Sequence, residues 1–295
     1  MEIKPPTTLD EQIEKLKERG CIISDEPACK EFLRTVNYYR LTAYFLPFRE
    51  ESHKYKDGTT FERVKGIYEF DKKLRAVIFA AVEDLEIYMR ARLSYYHAHK
   101  YGALGYLNAE SFGEKHSHDI FLERIDNELS RNRNTLFVKH HREKYEGKFP
   151  IWVIIELFSF GMLSHFYADM PIEDKKAIAV EFGTRNAYLE SWLHVLTVLR
   201  NTCAHYGRLY CTSFDKPPKI MGYIKITPTR KLFTQILTLK LLSPDPFAWN
   251  NTVLSQLTAI VDEYTPHISL EHIGFTEDWQ DVLRTATTAR TNERE

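Results

Sequence analysis

The chain has 295 residues, enough for one large domain or two modest ones. With 43% hydrophobic and 27% charged residues, whole-chain disorder is excluded. A formal net charge of -1 excludes a protein that coats nucleic acid nonspecifically, so any nucleic-acid contact must come from local basic patches.

Helical periodicity dominates, and Gly and Pro, 12 each, are sparse. Thr8 and Glu11 form a capping box ahead of Leu9, Ile13 and Leu16, on a helix that stops at Gly20. A second helix is predicted from about Pro27 through Val36-Asn37-Tyr38-Tyr39-Arg40-Leu41 to Phe45, with Pro47 as its breaker. Residues 49–60 read as a polar loop. Thr59 and Glu62 suggest a capping box for a long helix over 61–99, with a kink near Gly66 and an end at Gly102 and Gly105. One or two cation-rich helices follow over 118–145. Pro150 then opens an apolar helix over 151–169. That run carries Glu156, Ser159, Ser164 and His165 and is short for a bilayer span, so it reads as a buried core helix rather than a membrane segment. Pro171 opens a short helix ending at Gly183, and the next runs from about Arg185 to His205. Beyond Cys211, prolines punctuate helices near 230–243, 248–264 and 276–286; the best strand candidate is Tyr223-Ile224-Lys225-Ile226. The expected fold is all-α, with an N-terminal helical region (1–60), a helical core (61–211) and a helical C-terminal extension (212–295). Cys21, Cys29, Cys203 and Cys211 make no dense framework and the start, MEIKPPTTLDEQ, is polar. Both features lead us to expect a cytoplasmic, reducing setting.

The end of the 185–205 helix is the most informative segment: Arg200 and Asn201 are followed by His205 and Arg208. Five residues turn a helix by roughly 500°, so Arg200 and His205 flank a groove rather than share a stripe. A guanidinium can grip a phosphate and stabilise its growing charge. An imidazole can move a proton near neutral pH. Together they suffice for RNA self-cleavage by the 2′-OH, with no metal. The same pairing also occurs by chance, and cations at a helix C-terminus are favoured by its dipole.

Other candidates have two readings each. Glu83, Glu86 and Arg90 share a helix face, either solvated with an internal Glu86–Arg90 pair or lining the groove and orienting Arg200. Glu156, in an apolar run, would need a cation such as Arg200 or Arg90. Tyr38, Tyr39 and Arg40 either pack in the core or stack on and grip RNA. Arg131, Arg133, Lys139, His140, His141, Arg142 and Lys144 form an exposed face or a phosphate track, as do Lys216, Lys219, Lys225, Arg230 and Lys231. The pairs His97/His99 and His116/His118 and the loose group Cys203/His205/Cys211 lack the spacing of a structural zinc site, so neither metal nor cofactor is expected.

In order along the chain, KPPTTLDEQIEKLKERG, VNYYRLTAYFLPFR, IYEFDKKLRAVIFAAVEDLEIYMRARL, PIWVIIELFSFGMLSHFY, LESWLHVLTVLRNTCAHYGRLY and IGFTEDW resemble the Abi-like family of bacterial abortive-infection proteins. Leu199 to His205 resembles the Arg-x4-His signature of HEPN nucleases. Tyr206 and Gly207 depart from the usual pattern, which often has a second histidine and another polar residue there. The resemblance implies a HEPN helical bundle and a homodimer that brings two motifs together. It also implies metal-independent RNA cleavage in phage defence, and a toxin-like role that a small noncoding RNA restrains. Arg200, Asn201 and His205 would be the catalytic residues, with Arg208 among the RNA contacts. The alternative is a noncatalytic helical module that binds RNA or protein.

Overall fold

A computed structural model describes residues 5–288; the outer ends of the first and last expected regions, and Lys4 of the first matching segment, lie outside them. The chain is all-α. Among the described residues no named strand forms, and pairing is limited to the isolated bridges Ile22–Thr60 and Arg49–Tyr55. The segment Tyr223–Ile226 is a turn with local hydrogen bonds from Ile224 N–H to the Met221 carbonyl and from Ile226 N–H to the Ile224 carbonyl, because it has no neighbouring strand to complete a ladder.

Helix α1 (Leu9–Glu18) starts with the reciprocal Thr8–Glu11 capping box. Helix α2 (Glu26–Thr35) is capped by Asp25 and ends earlier than predicted. Val36 is extended, and Asn37 caps a separate short α3 (Tyr38–Thr42) by accepting from the Tyr39 N–H. Pro47 does not end an α-helix but sits inside the 3-10 turn Ala43–Phe48. The long α4 (Phe61–Tyr101) begins at Thr60, not Thr59: the Thr60 side chain accepts from the Arg63 N–H, while the buried Thr59 hydroxyl donates to the Lys56 carbonyl. At 41 residues α4 is about 60 Å long. The expected kink residue, Gly66, lies within this single helix. A Cβ there would stand 2.5 Å from the His267 ring, so its role is to admit the C-terminal region.

The cation-rich stretch forms two helices, α5 (His118–Arg131) and α6 (Leu136–Lys144). The apolar run is not one helix. Pro150 caps α7 (Ile151–Ile154), a 3-10 turn follows, Phe158 is extended, and Ser159 caps α8 (Phe160–Asp169). Next come α9 (Ile172–Glu181) and α10 (Asn186–Ala204), then α11 (Leu232–Leu242), buried at every residue. The chain continues with α12 (Pro246–Trp249), a π-helical turn, α13 (Ser255–Tyr264) and α14 (Trp279–Thr285).

Helix α4 is the axis of the molecule. It packs against α7, α8, α9, α10, α11 and α13. Its buried face runs through Val64, Ile67, Phe70, Leu74, Ile78, Val82, Leu85, Met89 and Leu93. The average hydrophobicity of α4 is low because its other side faces water over long stretches. No helix among the described residues is long and apolar enough to cross a membrane.

One histidine lies in the core. His97 is fully buried against Tyr101, Phe112 and Phe166, with neither ring nitrogen hydrogen-bonded among the described residues. Burial holds its pKa down at about 4, against an ordinary 6.5. The fold therefore needs the neutral ring: the stability tied to His97 is complete above about pH 6.5 and is lost as pH falls from there towards 4. His97→Leu should flatten the acid decline of the urea midpoint over that window relative to wild type; parallel curves would contradict this.

Candidate active site

Helix α10 buries Leu189, Trp192, Leu193, Leu196, Leu199 and Cys203. Arg200 is carried at the edge of that face, turned towards α4. Its Nε donates to Glu86 Oε2 at 3.2 Å, its Nη1 reaches Asn201 Oδ1 at 3.5 Å, and its guanidinium carbon stands 5.9 Å from the Phe79 ring centre. Glu86 is buried and serves two arginines. Its Oε1 accepts from Arg90 Nη2, which also donates to the Phe158 carbonyl at 2.9 Å. The carboxylate thus fixes the direction of Arg200 and partly cancels the repulsion between two cations. It leaves Nη2 of Arg200 with no protein acceptor among the described residues, so a phosphate can take it.

Of the acidic candidates, only Glu86 takes this position. Glu83 is exposed and forms no ion pair among the described residues, so the shared face of 83, 86 and 90 is not a continuous polar strip. Glu156 pairs with neither Arg200 nor Arg90. The break after Leu157 puts it on an exposed 3-10 turn, where water solvates it and no buried partner is needed.

His205 caps α10 and is exposed, its ring free of protein hydrogen bonds among the described residues. The chain leaves the helix by a Schellman turn: the Gly207 N–H donates to the Thr202 carbonyl at 2.7 Å and the Tyr206 N–H to the Cys203 carbonyl at 3.1 Å. Gly207 is required there, since a Cβ would stand 2.8 Å from Thr202 Cγ2 and 3.0 Å from its carbonyl oxygen.

What holds this exit is a pair that the sequence analysis missed. Asp71 and Arg75, one turn apart on α4, are 0% and 6% exposed. Asp71 Oδ1 accepts from the backbone N–H of Leu209 at 3.0 Å and of Tyr210 at 2.7 Å. Asp71 Oδ2 accepts from the Tyr44 hydroxyl at 2.7 Å and from Arg75 Nη1, which also donates to the Gly207 carbonyl at 3.1 Å. A signal was available: Asp71 falls in the apolar stripe Ile67–Phe70–Leu74–Ile78, where a carboxylate needs a dedicated partner, and Arg75 stands at i+4.

Two expected RNA contacts also bind this region. Arg40 Nη2 donates to the Tyr206 carbonyl and Arg208 Nη1 to the Ala43 carbonyl, so both tie the α3 segment to the end of the motif. Tyr39 beside Arg40 is 86% exposed. Arg133, in the turn between α5 and α6, and Lys139 and Arg142, on α6, are exposed and make no bond to the Glu86 group. Among the described residues no three His, Cys, Asp or Glu side chains form a group that could hold a metal.

The family described as Abi-like protein matches residues 31–211, well over half of the chain. The chain belongs to the Abi-like family. The matched span holds Arg40, Asp71, Arg75, Glu86, Arg90, Arg200 and His205 and ends one residue past Tyr210. Helices α11–α14 of this Abi-like protein lie beyond it. Membership suggests a part in abortive infection, a form of phage defence. No curated protein and no solved structure matches the chain.

If Glu86 orients Arg200, the two are energetically coupled. A double-mutant cycle of Glu86→Gln and Arg200→Gln in urea unfolding should return a coupling of about 1–2 kcal/mol. Additive effects would mean that the contact does not hold Arg200.

Proposed function

We propose that this Abi-like protein is a HEPN-type endoribonuclease that acts in abortive infection by cutting RNA. The observation that carries this reading is the arrangement at the end of α10: an arginine held by a buried carboxylate, and five residues on an exposed histidine with no hydrogen-bond partner among the described residues. Arg200 binds the scissile phosphate. The ribose 2′-OH attacks the adjacent phosphorus, and the 5′-oxygen of the next nucleotide leaves. His205 moves the proton, while Arg200 stabilises the phosphorane's extra charge. Glu86 and Arg90 are positioning residues, and Asn201 supports the Arg200 guanidinium. The products are a 2′,3′-cyclic phosphate and a 5′-OH. The nucleophile belongs to the substrate, so the chemistry does not call for a metal-activated water.

One Arg and one His make a sparse site, and a symmetric dimer that pairs two motifs would complete it. The exposed cations Arg133, Lys139 and Arg142 are suited to a phosphate backbone, either that of the substrate or that of a small noncoding RNA restraining the toxin.

The test is cleavage of a labelled RNA in EDTA, beside a copy with 2′-deoxyribose at the cut. The RNA should be cut and the deoxy copy left intact. His205→Ala should slow cutting by about 10²–10⁴-fold without loss of fold. Cleavage of the deoxy copy, or full activity in His205→Ala, would overturn the mechanism. RNA that is bound but never cut would favour a noncatalytic RNA-binding module.

A further inference from the structure

The residue after His205 is held in an unfavourable conformation. Tyr206 occupies the left-handed region at φ 57°, the position in a Schellman turn that glycine normally fills. For an L-residue with a bulky side chain this is strained. The glycine of this turn is one residue later, at 207, where the approach to Thr202 requires it. The fold gains little packing from the tyrosine, because Tyr206 is 70% exposed. Its backbone, by contrast, is tightly placed. The Tyr206 N–H donates to the Cys203 carbonyl, and its own carbonyl accepts from Arg40 Nη2. The Arg40 guanidinium lies 5.9 Å from the Tyr68 ring centre, which fixes it in turn. Arg40 thereby pins α3 against the motif, and α3 carries Tyr39, another tyrosine almost wholly in water.

A rigid backbone thus presents an exposed aromatic ring beside the proposed proton-transfer residue, in a conformation that asparagine or glycine would adopt with less strain. We propose that Tyr206 is a stacking platform for a nucleobase of single-stranded RNA next to the scissile phosphate, with Tyr39 extending the platform along the strand. This inference rests on the nuclease reading of Arg200 and His205. Base stacking on an aromatic ring tolerates any sequence and would hold the strand with a phosphate beside Arg200. Residues that bear strain at a site without contributing to the core are commonly kept for what they bind.

The experiment separates stability from binding. Tyr206→Asn relieves the strain, so its thermal midpoint should rise by about 2 °C. In the full-length His205→Ala protein, the added Tyr206→Asn change should weaken binding of a short single-stranded oligoadenylate by about 5- to 100-fold. An oligomer of the same length with abasic riboses should bind both proteins alike. Tyr206→Trp should keep the affinity for oligoadenylate. With His205 intact, Tyr206→Asn should slow RNA cleavage through KM more than through kcat.

A stabilised Tyr206→Asn protein that binds and cuts RNA as wild type does would overturn the platform while leaving the nuclease reading in place. An equal loss of affinity for the abasic oligomer would also overturn it, because the contact would then be to the backbone. A wild-type protein that neither binds nor cuts RNA would sink both readings together.

Discussion

A carboxylate with no exposure to water sits in the middle of α4 and receives two backbone amides, a phenol and a guanidinium. Burial pushes the Asp71 carboxyl above its usual range, against the opposing pull of Arg75, Tyr44 and the Tyr210 and Leu209 amides. Such a group is costly to bury alone and strongly directional once satisfied. Its partners come from the 3-10 turn before α4, from α4 itself and from the segment that leaves α10. Tyr210, bound through its amide to Asp71, sends its hydroxyl on to His272 Nδ1 at 2.7 Å and accepts from the Ser269 N–H at 2.8 Å. A single acidic side chain therefore joins the N-terminal, central and C-terminal parts of the chain at the exit of the motif.

The second acid of α4 acts further along the same helix. Glu86 is fifteen residues from Asp71, about 22 Å along the axis. Arg200 meets Glu86, Gly207 meets Arg75 and Leu209 meets Asp71, so the motif lies along α4 in the antiparallel sense. One rigid helix holds the arginine at one end and the chain after the histidine at the other. His205 lies between two fixed points, its ring free of hydrogen bonds among the described residues. That combination suits a phosphate grip with a proton carrier beside it better than either residue would alone.

Much of this was legible in the sequence, and what was missed has a physical pattern. The Thr8–Glu11 box, Gly102, Pro171 and the Arg185–His205 span all act within one turn of a helix end, and local signals place them correctly. The Glu86–Arg90 pair was readable from its i,i+4 spacing, whereas its third member, Arg200, is 114 residues away and needed the fold. The breaks at Val36–Asn37 and Phe158–Ser159 were missed because apolar periodicity runs through them, although Asn37 and Ser159 are each cap-forming residues ahead of an apolar run. Glu156 was misplaced by the same error, since a helix continued through it would have buried it. The grip of Asp71 on residues 209 and 210 is purely long-range, and composition gave no more than its anomaly in the stripe.

The central claim is that α4 sets the geometry of the motif through Asp71, and Asp71→Asn tests it most directly. Asparagine retains one acceptor and the side-chain shape but loses the charge that Arg75 answers. Amide hydrogen exchange at Leu209 and Tyr210 and the rate of RNA cleavage should be measured on the same folded protein. The account predicts that exchange at these two amides speeds up by at least roughly tenfold, as a loss of about 1.4 kcal/mol of local protection would produce, and that cleavage falls with it. Faster exchange with cleavage unchanged would contradict it.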